Sequence, residues 1–302
     1  MDTSSDPQTH SEIKVSIIIP NLHSPIIDRT IESILAQKTR HTYQIIVVGM
    51  DKYGLVEKFP QVQFIKTKEP TPPGTARNIG ASASTGDYLI FIDADCIAES
   101  SWMETHLQCH QSNSKPIILG GGVTFLSNNY LTLADNVSSF HEYMTHIPKK
   151  SIELLPSINL SMAKQIWQKL GGFSSSRTGE DIEFTLRASM DNIEIIFTPD
   201  TAVEHAPNRH QFNQILRHSY QFGQNSVKAK REYWYYLDIP LFMKHWISAV
   251  LFSPLIAFGI ILKIIFIEKL PFKYWHTLPI VYLTKIAWCF GYSNTIKSSQ
   301  PR

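Results

Sequence analysis

The sequence predicts an α/β fold in which a mixed, mostly parallel β-sheet is flanked by helices. Residues 15–19 and 45–48 are apolar, largely β-branched runs without polar alternation, which is typical of strands buried on both faces. Between them, Ile27, Ile31 and Ile34 recur at the spacing of an amphipathic helix. A strand, a helix and a strand in this order predict a right-handed βαβ unit.

The composition narrows the class of protein. The formal charge of +2 over 302 residues argues against nucleic acid as a partner, because no global basic excess exists. The three cysteines form no metal-binding spacing, which favours reduced thiols in a cytosolic environment. The polar first residues lack the pattern of a signal peptide, and we expect residues 1–12 to be disordered.

Two aspartates follow the next buried strand directly. The apolar run 89–92 leads into Asp93 and Asp95, which period-two geometry directs to the same side. Ligands of open α/β sheets bind beyond the carboxyl ends of the strands. Two hard oxygen ligands there suit Mg²⁺ or Mn²⁺ bound to a phosphate. The alternative is a strand followed by an Asp-rich turn.

Other candidate residues lie at predicted element ends. Arg77 is on the first turn of a short helix before the aspartate strand, where it faces the same ligand or simply solvent. Glu180 and Asp181 follow a serine-rich loop. Acidic residues there either offset the dipole of the next helix or belong to a mobile loop that presents a carboxylate to a cleft. His205 ends an extended segment, as a ligand or a structural residue.

The order of the motifs resembles family 2 glycosyltransferases, which have the Rossmann-like GT-A fold. The matching segments span roughly residues 13–210 and are Ser16-Ile17-Ile18-Ile19-Pro20, Ile45-Ile46-Val47-Val48, Ala76-Arg77-Asn78-x-Gly80, Thr85-Gly86-Asp87-Tyr88-Leu89-x-Phe91-x-Asp93-x-Asp95, Gly171-Gly172-Phe173, Gly179-Glu180-Asp181-x-Glu183 and Leu186-Arg187. Each segment is weakly specific alone, and their order gives the resemblance its weight.

The resemblance implies roles for individual residues. Asp93 and Asp95 would hold the diphosphate of a nucleotide-sugar donor through Mg²⁺ or Mn²⁺, which neutralises charge on the leaving group. Asp181, with Glu180 beside it, would be the general base of an inverting transfer. His205 would add a metal or diphosphate contact.

The resemblance also places Pro20 and Arg77 near the nucleotide, but one departure affects donor recognition. The family commonly has an acidic pair after the second strand, where an aspartate contacts the nucleobase. Here Gly49 and Met50 occupy those positions, and the nearest acid is Asp51. Asp51 is therefore the candidate nucleotide contact, and the base itself stays open.

The C-terminal quarter differs in character. A basic, aromatic connector is expected at 211–239, after a catalytic domain at 13–210. Two apolar stretches, 246–267 and 274–292, then predict a membrane-associated or transmembrane helical hairpin within 240–302. Lys263 and Lys285 interrupt them, which keeps open a hairpin in one leaflet or a soluble helical cap.

Together these features predict a membrane-associated enzyme with its catalytic domain in the cytosol. It would transfer a single sugar to an acceptor that is lipid-linked or close to the membrane, with membrane lipids as a further partner. The segment around Arg217 lacks the Q-x-x-R-W signature of processive synthases. The alternative is a non-catalytic nucleotide-sugar-binding or scaffold protein on a degenerate transferase fold, motivated by Gly49 and Met50. A nucleotidyltransferase is disfavoured, since no glycine-rich, lysine-containing loop follows the first strand.

Overall fold

The computed structural model describes residues 14–125, 129–175, 179–231 and 240–298, without the side chains of 228–231. These residues form a nine-stranded sheet flanked by helices. The strands are β1 (Lys14–Leu22), β2 (Thr42–Met50), β3 (Gln63–Lys66), β4 (Tyr88–Ile92), β5 (Cys96–Ala98), β6 (Ile117–Thr124), β7 (Lys150–Ser151), β8 (Asn159–Ala163) and β9 (Glu194–His205). The disorder predicted for 1–12 and the end of the predicted connector, 232–239, lie outside the described residues.

The helices cover both faces of the sheet and form the C-terminal region. They are α1 (Ile27–Leu35), α2 (Pro73–Ala83), α3 (Trp102–Ser112), α4 (Tyr130–Phe140), α5 (Lys164–Lys169), α6 (Glu180–Met190), α7 (Phe212–Arg231), α8 (Trp246–Leu251), α9 (Ser253–Leu262) and α10 (Leu278–Ser298). A π-helical turn, Lys263–Ile267, follows α9 directly.

The strand order is β3-β2-β1-β4-β8-β6-β9-β5, and β7 pairs with β9. The predicted α/β class and mixed sheet are confirmed, but only the N-terminal half, β3-β2-β1-β4, is uniformly parallel. Beyond it β8 runs antiparallel to both β4 and β6. Asn159, which begins β8, pairs with Ile92, which ends β4. The chain therefore enters β8 at the edge where Asp93 and Asp95 emerge.

Strand β1 continues past Pro20 to Leu22, although the proline was expected to end it. Pro20 pairs with Val48 of β2, whereas β4 accompanies β1 only as far as Ile18. A proline is tolerated where the strand has a neighbour on one side only. The β1 extension brings Asn21 against Gly49, where a Cβ would lie 2.0 Å from the Asn21 carbonyl oxygen. Gly49, with φ +134°, is thus required by this close approach.

The C-terminal helices pack on the rest of the chain through small residues and shared core. A Cβ on Gly223 of α7 would lie 2.0 Å from the Trp288 carbonyl oxygen, and one on Gly291 of α10 would lie 1.9 Å from that of Tyr220. The two backbones therefore touch where glycines face each other across the crossing. Val281 of α10 belongs to the same hydrophobic cluster as the central strands.

The first predicted apolar stretch is broken into shorter elements, whereas most of the second lies in the 21-residue helix α10. Residues 246–267 form α8, with 6 residues, α9, with 10, and the π-helical turn. Pro254 lies in the first turn of α9, where a proline suits a helix start. Across the described ranges, no helix is both long and apolar enough to cross a membrane. The predicted transmembrane hairpin finds no support in this part of the chain.

Candidate active site

A cavity of about 1190 Å³ opens at the carboxyl edge of the parallel strands. It brings together most of the residues that the sequence singled out, and their side chains come from five separate segments of the chain. The predicted site residues that line it are Pro20, Arg77, Asp93, Asp95, Glu180, Asp181 and His205. Asp51 does not line it, although its neighbours Lys52 and Tyr53 do.

Arg77 connects the two acidic motifs. Its Nη2 donates to Asp93 Oδ1 at 2.7 Å, and its Nη1 donates to Glu180 Oε1 at 2.8 Å. Arg77 and Glu180 are buried, whereas the Asp93 side chain is 32% exposed towards the cavity. Burial, the largest effect, raises the pKa of Asp93, and burial together with Asp181 raises that of Glu180 to about 7, although Arg77 opposes both shifts. The arginine thus holds two carboxylates 87 residues apart in one row.

Glu180 reaches Arg77 because the second residue of helix α2 is a glycine, Gly74. A Cβ on Gly74 would lie 2.6 Å from Cγ of Glu180 and 2.7 Å from the Ser174 carbonyl oxygen. Any larger residue would therefore separate α2 from α6. The close approach places Glu180 in a structural ion pair and leaves its neighbour Asp181 for the cavity.

Asp95 is paired with His205. Nε2 of His205 lies 3.6 Å from Asp95 Oδ2, and its Nδ1 is 2.9 Å from Asn136 Oδ1. The amide oxygen can only accept, so Nδ1 donates to Asn136 and Nε2 is the nitrogen that faces Asp95. Burial favours the neutral form of Asp95, but His205 and then Arg209 outweigh it and lower its pKa. Asp95 is therefore held as a carboxylate, 29% exposed.

Hydrogen bonds to the backbone fix the turn that carries the two aspartates. The carbonyl oxygen of Ala94 accepts from Ser24 Oγ at 2.7 Å and from Thr30 Oγ1 at 3.1 Å. The carbonyl oxygen of Asp95 accepts from the Ala206 amide at 2.9 Å. With the main chain held on both sides, the carboxylates keep a fixed spacing.

Asp181 lies on the first turn of α6, on the cavity wall. Its Oδ2 accepts from the Ser157 amide at 3.1 Å and from Ser157 Oγ at 3.3 Å. Neither of these partners is a cation, so neither forms an ion pair with the carboxylate. Such a carboxylate can accept a proton from a hydroxyl in the cavity. Ser157 was not singled out in the sequence, because only the β8 register brings it here.

Asp51 has a structural role in the loop after β2. Its Oδ1 accepts from the Tyr53 amide at 3.1 Å and its Oδ2 from the Val56 amide at 2.7 Å. The side chain therefore orders the loop that carries Lys52 and Tyr53 to the cavity. A direct contact of Asp51 with the nucleotide remains a prediction.

The sequence analysis did not single out a buried carboxylate on α4. Asp135 is completely buried, and its Oδ2 accepts from Arg209 Nε at 2.6 Å while its Oδ1 faces His218 Nδ1 at 3.0 Å. Arg209 and His218 both line the cavity. Polar Asp135 and Asn136 on the buried side of an otherwise apolar helix were the available signal, since buried carboxylates need partners.

The residues around Asp93 and Asp95 fit a divalent cation. A carboxylate has two acceptor oxygens, so Asp93 can keep Arg77 and still bind a cation. His205 offers Nε2 while Asn136 holds its other nitrogen, which is the usual arrangement around a ligating imidazole. A different cluster, of His141, Glu142 and Glu268, has its candidate ligand atoms within 4.8 Å of one another. There, however, the ammonium of Lys263 already contacts both carboxylates.

Comparisons with known proteins agree with this geometry. Residues 16–162 match the sequence model of Glycosyl transferase family 2. This part of the chain is a family 2 glycosyltransferase domain. Glycosyltransferase AglE of Haloferax volcanii is 22% identical over 71% of this chain and 73% of its own length. The glucosyl-dolichyl phosphate glucuronosyltransferase of the same organism is 25% identical over 49% of this chain and 50% of its own length.

A solved structure confirms the fold over nearly the whole chain. The mannosyltransferase PcManGT from Pyrobaculum calidifontis, in complex with GDP-Man and Mn²⁺, superposes with a TM-score of 0.61. It covers 96% of this chain and 89% of its own, at 16% identity. The predicted GT-A fold and the assignment as a glycosyltransferase are therefore confirmed.

Proposed function

We propose that the protein transfers a single sugar, with inversion, from a nucleotide-sugar donor to an acceptor at a membrane surface. The observation that carries the proposal is that one cavity is lined by Asp93 and Asp95 on one wall and by Asp181 on another. The first two suit the diphosphate of a donor, and the third suits an acceptor hydroxyl. The two halves of a displacement thus share one enclosed space.

Asp93, Asp95 and His205 would hold Mg²⁺ or Mn²⁺ with the donor diphosphate. A metal bound there would neutralise the charge that develops on the leaving nucleoside diphosphate. The complex of the mannosyltransferase neighbour with GDP-Man and Mn²⁺ supports this choice of donor class and metal. Arg77, fixed between Asp93 and Glu180, keeps the metal-binding carboxylate in position.

Asp181 would remove the proton of the acceptor hydroxyl. As that oxygen forms its bond to the anomeric carbon, the bond from this carbon to the diphosphate breaks and the diphosphate keeps the electron pair. One displacement of this kind inverts the anomeric configuration. Ser157 orients Asp181 through its amide and hydroxyl, whereas Glu180 acts on Arg77 and positions rather than accepts the proton.

An apolar surface on the C-terminal region supports association with membrane lipids. Its side chains, each at least 60% exposed, are Leu241, Ile247, Leu251, Leu255, Phe266, Ile267 and Phe272. Exposed apolar patches of this kind mark interaction sites. Lys244, Lys269 and Lys273 lie in the same region, and between 240 and 302 the sole acid in the sequence, Glu268, is buried. Basic and apolar residues together suit an anionic bilayer surface, in whose plane the helices would lie.

The same surface bears on the acceptor. The relative that acts on glucosyl-dolichyl phosphate has, by its name, a lipid-linked acceptor. A lipid-linked acceptor for this chain would reach the cavity from the membrane without leaving it. The catalytic domain would lie on the cytosolic side, where nucleotide sugars are made.

A donor screen tests the proposal. Membranes carrying the protein are incubated with a panel of nucleotide sugars and Mn²⁺, and mass spectrometry detects a product heavier by one sugar. Extraction into organic solvent separates a lipid acceptor from a soluble one. Binding of a donor by calorimetry, with no turnover of any donor, would instead identify a non-catalytic nucleotide-sugar-binding protein.

A further inference from the structure

The active-site cavity extends well beyond the donor-binding aspartates. Its far wall is formed by C-terminal helices, through Phe222, Ile260, Lys263, Lys285 and Trp288. At about 1190 Å³ it exceeds the roughly 300–1,000 Å³ usual for a single small ligand. The additional space, lined by apolar side chains and two lysines, suits the acceptor rather than the donor.

Lys285 is held in place by two neutral acceptors. Its Nζ donates to the Ser138 carbonyl oxygen at 2.7 Å and lies 3.4 Å from His141 Nε2. The other nitrogen of His141, Nδ1, is 2.6 Å from Glu268 Oε2, so the proton sits on Nδ1 and Nε2 accepts. An ammonium has three donors. Within the described part of the chain two are used, neither by a carboxylate.

Lys263, on the same wall, differs in its partners. Its Nζ contacts Glu142 and lies 3.1 Å from Glu268 Oε1, so two carboxylates neutralise it. Lys285 has no carboxylate within ion-pair distance among the described residues. A cation in such a position, facing a cavity, lacks only an anion. Of the two lysines, only Lys285 therefore lacks a direct carboxylate partner among the described residues.

We propose that Lys285, oriented by Ser138 and His141, binds the phosphate group of a lipid-phosphate acceptor. The proposal rests on the proposed function and specifies its acceptor class. The phosphate would anchor the acceptor, while the hydroxyl that attacks the donor lies towards Asp181. Phe222, Ile260 and Trp288 line the same cavity as Lys285 and would contact the apolar chain of such an acceptor.

The electrostatics of the cavity wall agree with this placement. Burial, the largest effect, lowers the pKa of Lys285 to about 8 because it removes water from the ammonium, although the nearby charges of Glu142 and Glu268 oppose the shift. A bound phosphate would raise that pKa again. Tyr143 lies near both ends of the site. Burial raises the pKa of its hydroxyl, and the nearby charges of Glu142, Asp181 and Glu268 raise it further. The lysine cluster and the base therefore lie on neighbouring parts of one wall.

Calorimetry with a short lipid phosphate tests the proposal directly. The full-length protein is titrated with citronellyl phosphate, with citronellol and with inorganic phosphate. We expect saturable binding of citronellyl phosphate that is at least about tenfold tighter than binding of either other probe. Lys285→Gln should weaken that binding at least about tenfold, whereas Lys297→Gln, the same change on an exposed lysine of the same helix, should leave it unchanged.

A pH series on the unmodified protein guards against a variant that does not fold. Because the ammonium is lost above a pKa of about 8, affinity for citronellyl phosphate should fall about tenfold or more between pH 7 and pH 9.5. A well-folded Lys285→Gln protein should show no such fall.

Three outcomes would overturn the proposal. They are equal binding of citronellol, which would show that no anion is recognised, equal binding of inorganic phosphate, which would show a site for the free anion, and undiminished binding by a well-folded Lys285→Gln protein. None of these measurements needs turnover. Failure of the donor screen would therefore remove the proposed function independently of the phosphate site.

Discussion

The two ends of the active-site cavity assemble charge in different ways. At the donor end, Asp93 and Asp95 follow one strand, and each keeps about 30% of its side chain exposed, Asp93 beside Arg77 and Asp95 beside His205. At the C-terminal end, Lys263 and Lys285 lie on apolar helices and meet partners from α4 and the turn after it. The first end presents negative charge to a ligand, whereas at the second two carboxylates contact Lys263 and Lys285 is hydrogen-bonded to neutral groups.

The difference shows how a single cavity can serve two substrates. Carboxylates at strand ends are positioned by the sheet and can hold a metal with a diphosphate. Buried lysines in the helical wall depend on packing, since an unpaired charge in an apolar wall is costly. Variants at each end should therefore fail in different ways, which can be ordered by size.

The largest expected effect is on the acceptor side of the chemistry. Asp181→Asn should lower transfer by about 10²–10⁴-fold, because an amide cannot take the hydroxyl proton. Donor binding, measured by calorimetry with Mn²⁺, should persist. The control is Asp191→Asn at the other end of the same helix, where Asp191 pairs with exposed Lys169. Near-normal transfer by Asp181→Asn would remove the base assignment.

The donor end should respond in binding as well as in turnover. Asp95→Asn should lower turnover by about 10²–10³-fold and weaken Mn²⁺-dependent donor binding, because a metal ligand and its charge are lost. The matched variant is Asp87→Asn, at the opposite end of the same strand and exposed to solvent. If donor binding to Asp95→Asn kept its dependence on Mn²⁺, the metal site would have to lie elsewhere.

The close crossing of α7 and α10 should make the protein's stability sensitive to an added side-chain atom at Gly291. Gly291→Ala should lower the free energy of unfolding by about 1–3 kcal/mol, because the new Cβ would meet the Tyr220 carbonyl oxygen. Gly259→Ala in α9 is the control, since nothing lies within 4 Å of the added Cβ. That change should be neutral or stabilise by up to about 1 kcal/mol. Denaturant unfolding compares the two variants, and equal stabilities would contradict the tight crossing.

A smaller effect, on stability, should come from two buried histidines, His106 and His110. Each should lower the free energy of unfolding by about 1 kcal/mol by pH 5.5. His106 Nδ1 and His110 Nε2 each lie 2.8 Å from Ser161 Oγ, and burial lowers their pKa values to about 4 and about 3. As the pH falls, the unfolded chain therefore binds protons at these histidines before the folded protein does. The contribution of these two histidines to stability should be constant above pH 6.5 and fall as the pH drops below it. His110→Gln should flatten this fall in a urea titration, and an unchanged slope would contradict the buried neutral state.

The local sequence was sufficient to predict where the aspartates of the donor end lie. The apolar run before Asp93 indicated a buried strand, and strand geometry then directed both carboxylates to the ligand edge. Arg77 was within reach of prediction because its helix leads directly into that strand. Its contact with Glu180, 103 residues away, was not, since nothing local requires Gly74 to bring α2 and α6 together.

The predictions that were wrong failed because contacts with residues far away in the sequence decide the structure there. Pro20 was read as a strand end, but pairing with β2 carries β1 two residues further. The sheet was expected to be mostly parallel, but β8 inserts in the opposite direction. The apolar stretches were read as possible spans, whereas Lys263 has a salt bridge to Glu142, 121 residues before it.

The sequence by itself therefore determined the α/β class, the strand-end aspartates and the family to which residues 16–162 belong. These depend on periodicity and on chemistry within a few residues, which a single chain displays directly. The tertiary structure alone decided that Asp181 rests on Ser157, that Glu180 holds Arg77, and that Lys285 faces the cavity beside His141. These contacts join residues 24 to 144 positions apart, and only the packing of the folded chain selects them.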